Sequence, residues 1–251
     1  MNKRLLKLLF IIAIMPAALS AQQADIKAEV QKAMASPIRE EADHAADVYR
    51  KPDVALSFFG LKNDMRVLEI MPGGGYYTKI LGQVLAEKGK LYEGAGGDSI
   101  ADKLAGWGLT KVEILDDKFE MKRGEKKGFN LISDTLNFNV TDIDMALTFR
   151  NLHDFSPESR KLLNTQVFKA LKSGGIYGVV DHTRRHMEPY DAERWRRLDP
   201  VVVIKELQDL GFVFVDYSDL AYQPNDELKL DSTNPALNRN SDNFTLIFRK
   251  P

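Results

Sequence analysis

The chain has 251 residues, 44% of them hydrophobic and 28% charged, with a formal net charge of −1. That length and balance suit one α/β domain with a full core and supply no broad basic face for nucleic acid. With no cysteine in the chain, disulfides, Cys-ligated metals and thiol catalysis are excluded.

Residues 1–21, MNKRLLKLLFIIAIMPAALSA, join a basic start (Lys3, Arg4, Lys7) to an apolar core over Leu8–Ile14 and a small-residue exit from Pro16 to Ala21. This is the pattern of a secretory signal peptide, too short in its apolar core to span a bilayer comfortably. It predicts export to the periplasm of a Gram-negative-type envelope, with cleavage after Ser20 or Ala21. Cleavage removes three cations and no anion, taking the formal charge from −1 to −4. No later stretch is long and apolar enough for stable membrane insertion.

Residues 22–60 predict an N-terminal helical extension, broken near Ser36-Pro37, whose last piece, DVALSFFGL, is a short helix ending at Gly60. Strand and helix signals then alternate through 61–251. Strands are predicted at 66–71, 90–95, 111–115, 143–149, 175–181, 212–217 and 243–249, and helices at 76–87, 98–106, 157–171 and 200–210. Asp98 and Ser156-Pro157 are expected helix starts, and Ser-Gly-Gly at 173–175 ends a helix. The alternation predicts an α/β, three-layer, doubly wound seven-stranded sheet. The final two strands are separated only by a polar loop, so the last is expected to run antiparallel.

The first strand leads into VLEIMPGGGYYTKIL, residues 67–81. Tyr76-Tyr77 after Gly75 rules out the Gly-Lys-Ser/Thr of a phosphate-binding P-loop, and Thr78 spoils a dinucleotide G-x-G-x-x-G. What remains is an acid at the strand end, Glu69, followed by Pro72, Gly73, Gly74 and Gly75. This reads either as a loop passing beneath a ligand or as a plain tight strand–helix turn. Further on, TFRNLHDF brings Arg150, Asn151, His153 and Asp154 to the carboxyl end of the fourth strand, and IYGVVDH brings Asp181 and His182 to the same rim. A histidine there suits a general base; helix capping by Asp154 or Ser156 is the structural alternative. No closed ligand set for a metal is present.

As a set, these segments resemble the class I S-adenosylmethionine-dependent methyltransferases, and more narrowly an exported bacterial group of predicted methyltransferases. The resemblance is carried by residues 67–81, by FRNLHD at 149–154, LKSGGIYGVVDH at 171–182, RRLDP at 196–200 and the end of the chain from Asp242. It implies S-adenosylmethionine as cofactor and a small-molecule or envelope acceptor. By carry-over, Glu69 orients the methionine moiety, Pro72 to Gly75 with Tyr76 pass under the ligand, and Asp117 contacts the adenine. From their place at the strand ends, Arg150 and Asn151 are candidate cofactor contacts, and His153, Asp154 and His182 are candidate catalytic residues. The family's ribose-binding acid falls on Ala95 in this chain; Glu93 and Asp98 are its candidate replacements. The alternative is an inactive or repurposed fold that binds another small polar ligand in the periplasm.

Overall fold

A computed structural model of the protein describes residues 26–251. The signal-peptide reading of residues 1–21 lies outside that range. Residues 26–34 form helix α1, followed after a turn by α2 (Glu41–Arg50) and α3 (Pro52–Phe58). The break falls where Ser36-Pro37 predicted it.

The sheet strands follow: β1 (Arg66–Ile70), β2 (Lys90–Gly94), β3 (Glu113–Ile114), β6 (Ile143–Phe149), β7 (Leu171–His182), β8 (Val213–Ser218) and β9 (Asn243–Arg249). Their order is β3-β2-β1-β6-β7-β9-β8. β9 lies antiparallel between β7 and β8, and the remaining pairs are parallel. The chain thus has the expected seven-stranded α/β sheet with its antiparallel end. A separate two-stranded ribbon, β4 (Met121–Lys122) with β5 (Leu131–Ile132), was not anticipated. Its strands are too short to carry an alternating pattern.

Each sheet face has its own core. Val67, Leu91, Met145 and Val180 face α1, α2, α3 and α4 (Thr78–Val84). Leu68, Tyr92, Ala146 and Val179 face α6 (Pro157–Ala170) and α7 (Pro200–Asp209). The N-terminal helices therefore pack on the same face as the helix that follows the glycine loop.

Several boundaries depart from expectation. The helix predicted at 76–87 spans only Thr78–Val84, because Gly73 and Gly75 hold positive φ and carry the chain in turns up to Tyr77. The helix predicted at 98–106 splits into a 3₁₀ turn, Gly97–Ile100, and α5 (Ala101–Leu104). Gly96, not Asp98, precedes it, and no side chain caps it. Ser156 does cap α6, accepting a hydrogen bond from the Ser159 amide with Pro157 in the first turn.

Candidate functional site

β1 and β6 are neighbours whose connections leave in opposite directions across the sheet, the switch point where open α/β sheets bind ligands at the carboxyl ends of strands. The glycine loop leaves β1 here. A Cβ on Gly73 or Gly74 would meet nothing within 4 Å, whereas one on Gly75 would lie 2.5 Å from Trp107. Gly73 and Gly74 are exposed and Pro72 is buried. The first two glycines therefore form an open edge, and Gly75 packs. Asn151 fastens this loop from beneath, its amide donating to the Ile70 carbonyl at 3.0 Å and to the Met71 carbonyl at 3.3 Å. Ser99 Oγ reaches the Gly73 carbonyl at 3.1 Å from the β2 side.

Under the loop, Glu69 and Glu93 stand side by side in the β1–β2 register, both buried. Thr78 Oγ1 donates to Glu69 at 2.8 Å, while neither Glu93 oxygen has a described partner. Burial raises the Glu69 pKa to about 7; burial and then the Glu69 carboxylate push Glu93 well above the ordinary range. Two neighbouring carboxyls this dry are both held toward the neutral, protonated form. Glu93 thus supports Glu69 instead of presenting a carboxylate to the crevice.

At the end of β2, Ala95 is fully buried with φ 51 and its amide donates to Asp117. The other Asp117 oxygen accepts from the Phe119 amide at 3.0 Å. Burial raises the Asp117 pKa against these two amides. Asp117 ties the β2 exit to the β3 exit. Its cavity face, with exposed Asp98, Leu115 and Phe119, lines a space of about 310 Å³ at the β2 and β3 exits. A larger cleft of about 720 Å³, between α1 and residues 107–112, opens near the amino ends of β1 and β2 and touches no predicted site residue.

Beyond β6 and β7 the two histidines differ. His153 is buried, with Nδ1 2.6 Å from Asp181 Oδ1. A carboxylate only accepts, so Nδ1 carries the proton. Asp181 also accepts from the His153 and His182 amides at 3.1 and 2.7 Å. Burial opposes the His153 charge, but Asp181 and then Asp154, 3.6 Å from Nε2, outweigh it and raise its pKa. His182 goes the other way: burial, His153 and Arg150 push its pKa well below the ordinary value. Its Nδ1 lies 2.9 Å from Ser241 Oγ, and its ring centroid 5.4 Å from that of His153. His153 is thus held toward the charged form, and His182 is the neutral imidazole. Asp154 has its pKa raised by burial and makes no cap to α6.

Sequence reasoning did not find the role of helix α2. Tyr76 does not open toward the crevice; its ring is buried and its hydroxyl donates to Asp47 of α2 at 2.5 Å. Arg39 chelates the same carboxylate at 2.6 and 2.8 Å, and Lys79 meets Asp43 at 2.7 Å. This polar seam fastens the helical extension onto the glycine loop and places Arg50 against the Tyr76 ring, 4.3 Å from its centroid. No motif announced it, because the pattern is split between two distant segments. Among the described residues, no group of three or more His, Cys, Asp or Glu is placed to hold a metal.

No protein-family model matches the chain, and no curated protein does. Among solved structures, the chain is similar to a SAM-dependent methyltransferase from Aquifex aeolicus, at TM-score 0.55 and 18% identity, over 88% of this chain and 97% of that one. It is similar to the [4+2]-cyclase SpnF at TM-score 0.55 and 16% identity, over 93% and 97%. A third likeness is to the Burkholderia thailandensis 1,6-didemethyltoxoflavin-N1-methyltransferase with bound 1,6-didemethyltoxoflavin and S-adenosylhomocysteine, at TM-score 0.53 and 14% identity, over 96% and 93%. At these identities the likeness establishes the fold, which is that of the class I methyltransferases.

Proposed function

We propose that this chain is an S-adenosylmethionine-dependent methyltransferase acting on a small-molecule or envelope acceptor in the periplasm. The observation that carries the reading is the open edge at Gly73 and Gly74; Ser99, which bonds the Gly73 carbonyl, follows Asp98, and Asp98 lines a carboxylate-rich space with Asp117. Such an edge suits a ligand lying against the backbone, and the space beyond suits the nucleoside end. The residues therefore fit the cofactor: Gly73 and Gly74 beneath it, Glu69 below the methionine end, and Asp98 and Asp117 toward the base. Glu93, buried beside Glu69, supports that acid.

When bound, the cofactor supplies an electrophilic methyl carbon, so the protein's task is alignment and removal of a proton. His182 is the residue suited to accept that proton, because burial and then its cationic neighbours keep it neutral. His153, tied to Asp181, positions the rim and contributes the positive field that holds His182 neutral.

Calorimetric titration of the purified protein with S-adenosylhomocysteine tests the reading. Saturable one-to-one binding, lost in Gly74→Val at unchanged melting temperature, is the expected result. Absence of binding by the wild type overturns it. Two observations favour the repurposed-fold alternative: Ala95 replaces the ribose acid in a fully buried position, and a cyclase shares the fold. Export rests on residues 1–21 alone. Fractionation with N-terminal sequencing should find a periplasmic product starting at Ala21 or Gln22; a full-length cytoplasmic product removes the localisation.

A further inference from the structure

On the side of the glycine loop away from the nucleoside space, two arginines a hundred residues apart in the chain come together. Arg50 closes helix α2, its guanidinium 4.3 Å from the Tyr76 ring centroid and 5.9 Å from that of Tyr77. Tyr77 stacks on Phe149 with centroids 3.5 Å apart. The next residue after Phe149 is Arg150, whose guanidinium lies 5.4 Å from the Tyr49 ring. The aromatic stack thus bridges the two cations.

Neither guanidinium has a carboxylate within 4 Å among the described residues. Arg150 uses only Nε, which donates to Asn243 at 3.0 Å. Arg50 Nε is buried with no described hydrogen-bond partner. The acids in this neighbourhood are committed elsewhere. Asp47 serves Arg39 and Tyr76, Asp181 serves His153 and two amides, and Glu69 is paired with Thr78 and Glu93. Burial and then the Arg50 charge lower the Arg150 pKa to about 10, which shows the two cations working against each other. Arg150 also holds φ 65, a backbone conformation that non-glycine residues seldom adopt and that clusters at functional sites. Two guanidiniums near enough for one to lower the other's pKa, neither with a carboxylate partner, are unfavourable until an anion joins them.

We propose that Arg50 and Arg150 form a subsite for the oxoanion group of the molecule that shares the crevice with the cofactor, so that the methyl acceptor is a small carboxylate, sulfate or phosphate. This rests on the methyltransferase reading for the word acceptor, but not for the anion site itself. The geometry places the anion beside His182, so recognition of the acceptor and removal of its proton occur at one rim. It also gives the helical extension a function, since α2 supplies half of the pair.

The probes are sodium sulfate, S-adenosylhomocysteine and S-methyl-5′-thioadenosine, which lacks the amino-acid carboxylate. At matched ionic strength, sulfate over chloride should raise the melting temperature of the wild-type protein with a saturable component. Non-specific salting-out by sulfate is unsaturable and common to all variants. Arg50→Gln and Arg150→Gln should each lose the saturable component, while Arg50→Lys and Arg150→Lys, which keep the charge, should retain part of it and guard against a folding defect. If the pair serves the acceptor and not, as first expected of Arg150, the donor, affinity for both adenosine ligands stays within twofold of wild type in every variant. No saturable response in the wild type, or an undiminished one in both glutamine variants, overturns the site. A tenfold loss of S-adenosylhomocysteine affinity with thioadenosine binding intact assigns the pair to the cofactor's carboxylate and overturns the acceptor assignment. Sulfate binding without any S-adenosylhomocysteine binding supports the anion site and overturns the methyltransferase reading instead.

Discussion

Gly73, Gly74 and Gly75 are glycine for three different reasons. Gly73 holds φ +57 facing open space, Gly74 has an ordinary φ facing open space, and Gly75 has φ +83 with Trp107 against it. Gly75→Ala should therefore cost roughly 2–5 kcal/mol, from left-handed strain plus overpacking, and appear directly in thermal melts. Gly74→Val should leave the melt within a degree or two and act only on ligand binding. The buried carboxyls make a pH prediction. Glu69 and Glu93 have folded pKa values raised above the unfolded ones. The folded state then holds more protons, and stability falls as pH rises from about 4.5 through about 7. Glu93→Gln removes the charge conflict, so it should stabilise the protein at pH 8 and have little effect at pH 4.5. Equal effects at both values, in denaturant titrations, defeat the raised-pKa account. Ala95→Asp should destabilise without creating a ribose contact, because the site is fully buried against the core that includes Leu68 and Ile70.

At the scale of elements, α2 is held less by apolar contact than by one carboxylate, since only Ala46 of its ten residues is buried. Asp47 joins Arg39, whose side chain is wholly buried, to the Tyr76 hydroxyl. Asp47→Ala strands the guanidinium, and about 3 kcal/mol of stability should go with it. Tyr76→Phe loses one charge-assisted hydrogen bond, about 1.5–3 kcal/mol at most. Hydrogen exchange should show residues 41–50 opening first in both variants, with the sheet unaffected; uniform loss of protection refutes a local seam. Helix α6 was readable from sequence because its start is local: Ser156 caps and Pro157 fills the first turn. The 3₁₀ turn at Gly97–Ile100 was not, because Gly96 takes the cap position and Asp98, the expected start, falls inside the turn.

Across the whole molecule, the long segment after β7 is secured by one buried ion pair. Arg197 donates to both oxygens of Asp226, at 2.8 and 3.1 Å, and to the Leu230 and Thr183 carbonyls, with both charged side chains almost fully buried. Asp226 also accepts from the Asp242 amide, tying the entry of β9 to the same point. Breaking it by Asp226→Ala should cost about 3–5 kcal/mol. Trp195, whose ring lies 5.9 Å from His153, should then lose its environment, visible as a tryptophan fluorescence shift. An unchanged spectrum and melt remove the pair from its structural role.

The sequence alone determined what is local. Alternating strand and helix signals specified the sheet, the glycine run marked the end of β1, and strand ends placed His153 and His182 on one rim, since each signal occupies a few consecutive residues. The strand order only followed once packing had set β6 beside β1. Tertiary structure alone decided the direction and partner of each polar side chain. Tyr76 turned to Asp47, Asp117 to the Ala95 amide, Glu93 to Glu69, and Arg50 came to stand with Arg150. Each of these joins residues far apart in the chain, and a buried charge or hydroxyl takes whatever partner the folded packing brings within reach. Residue type announces the need for a partner; only the fold supplies it.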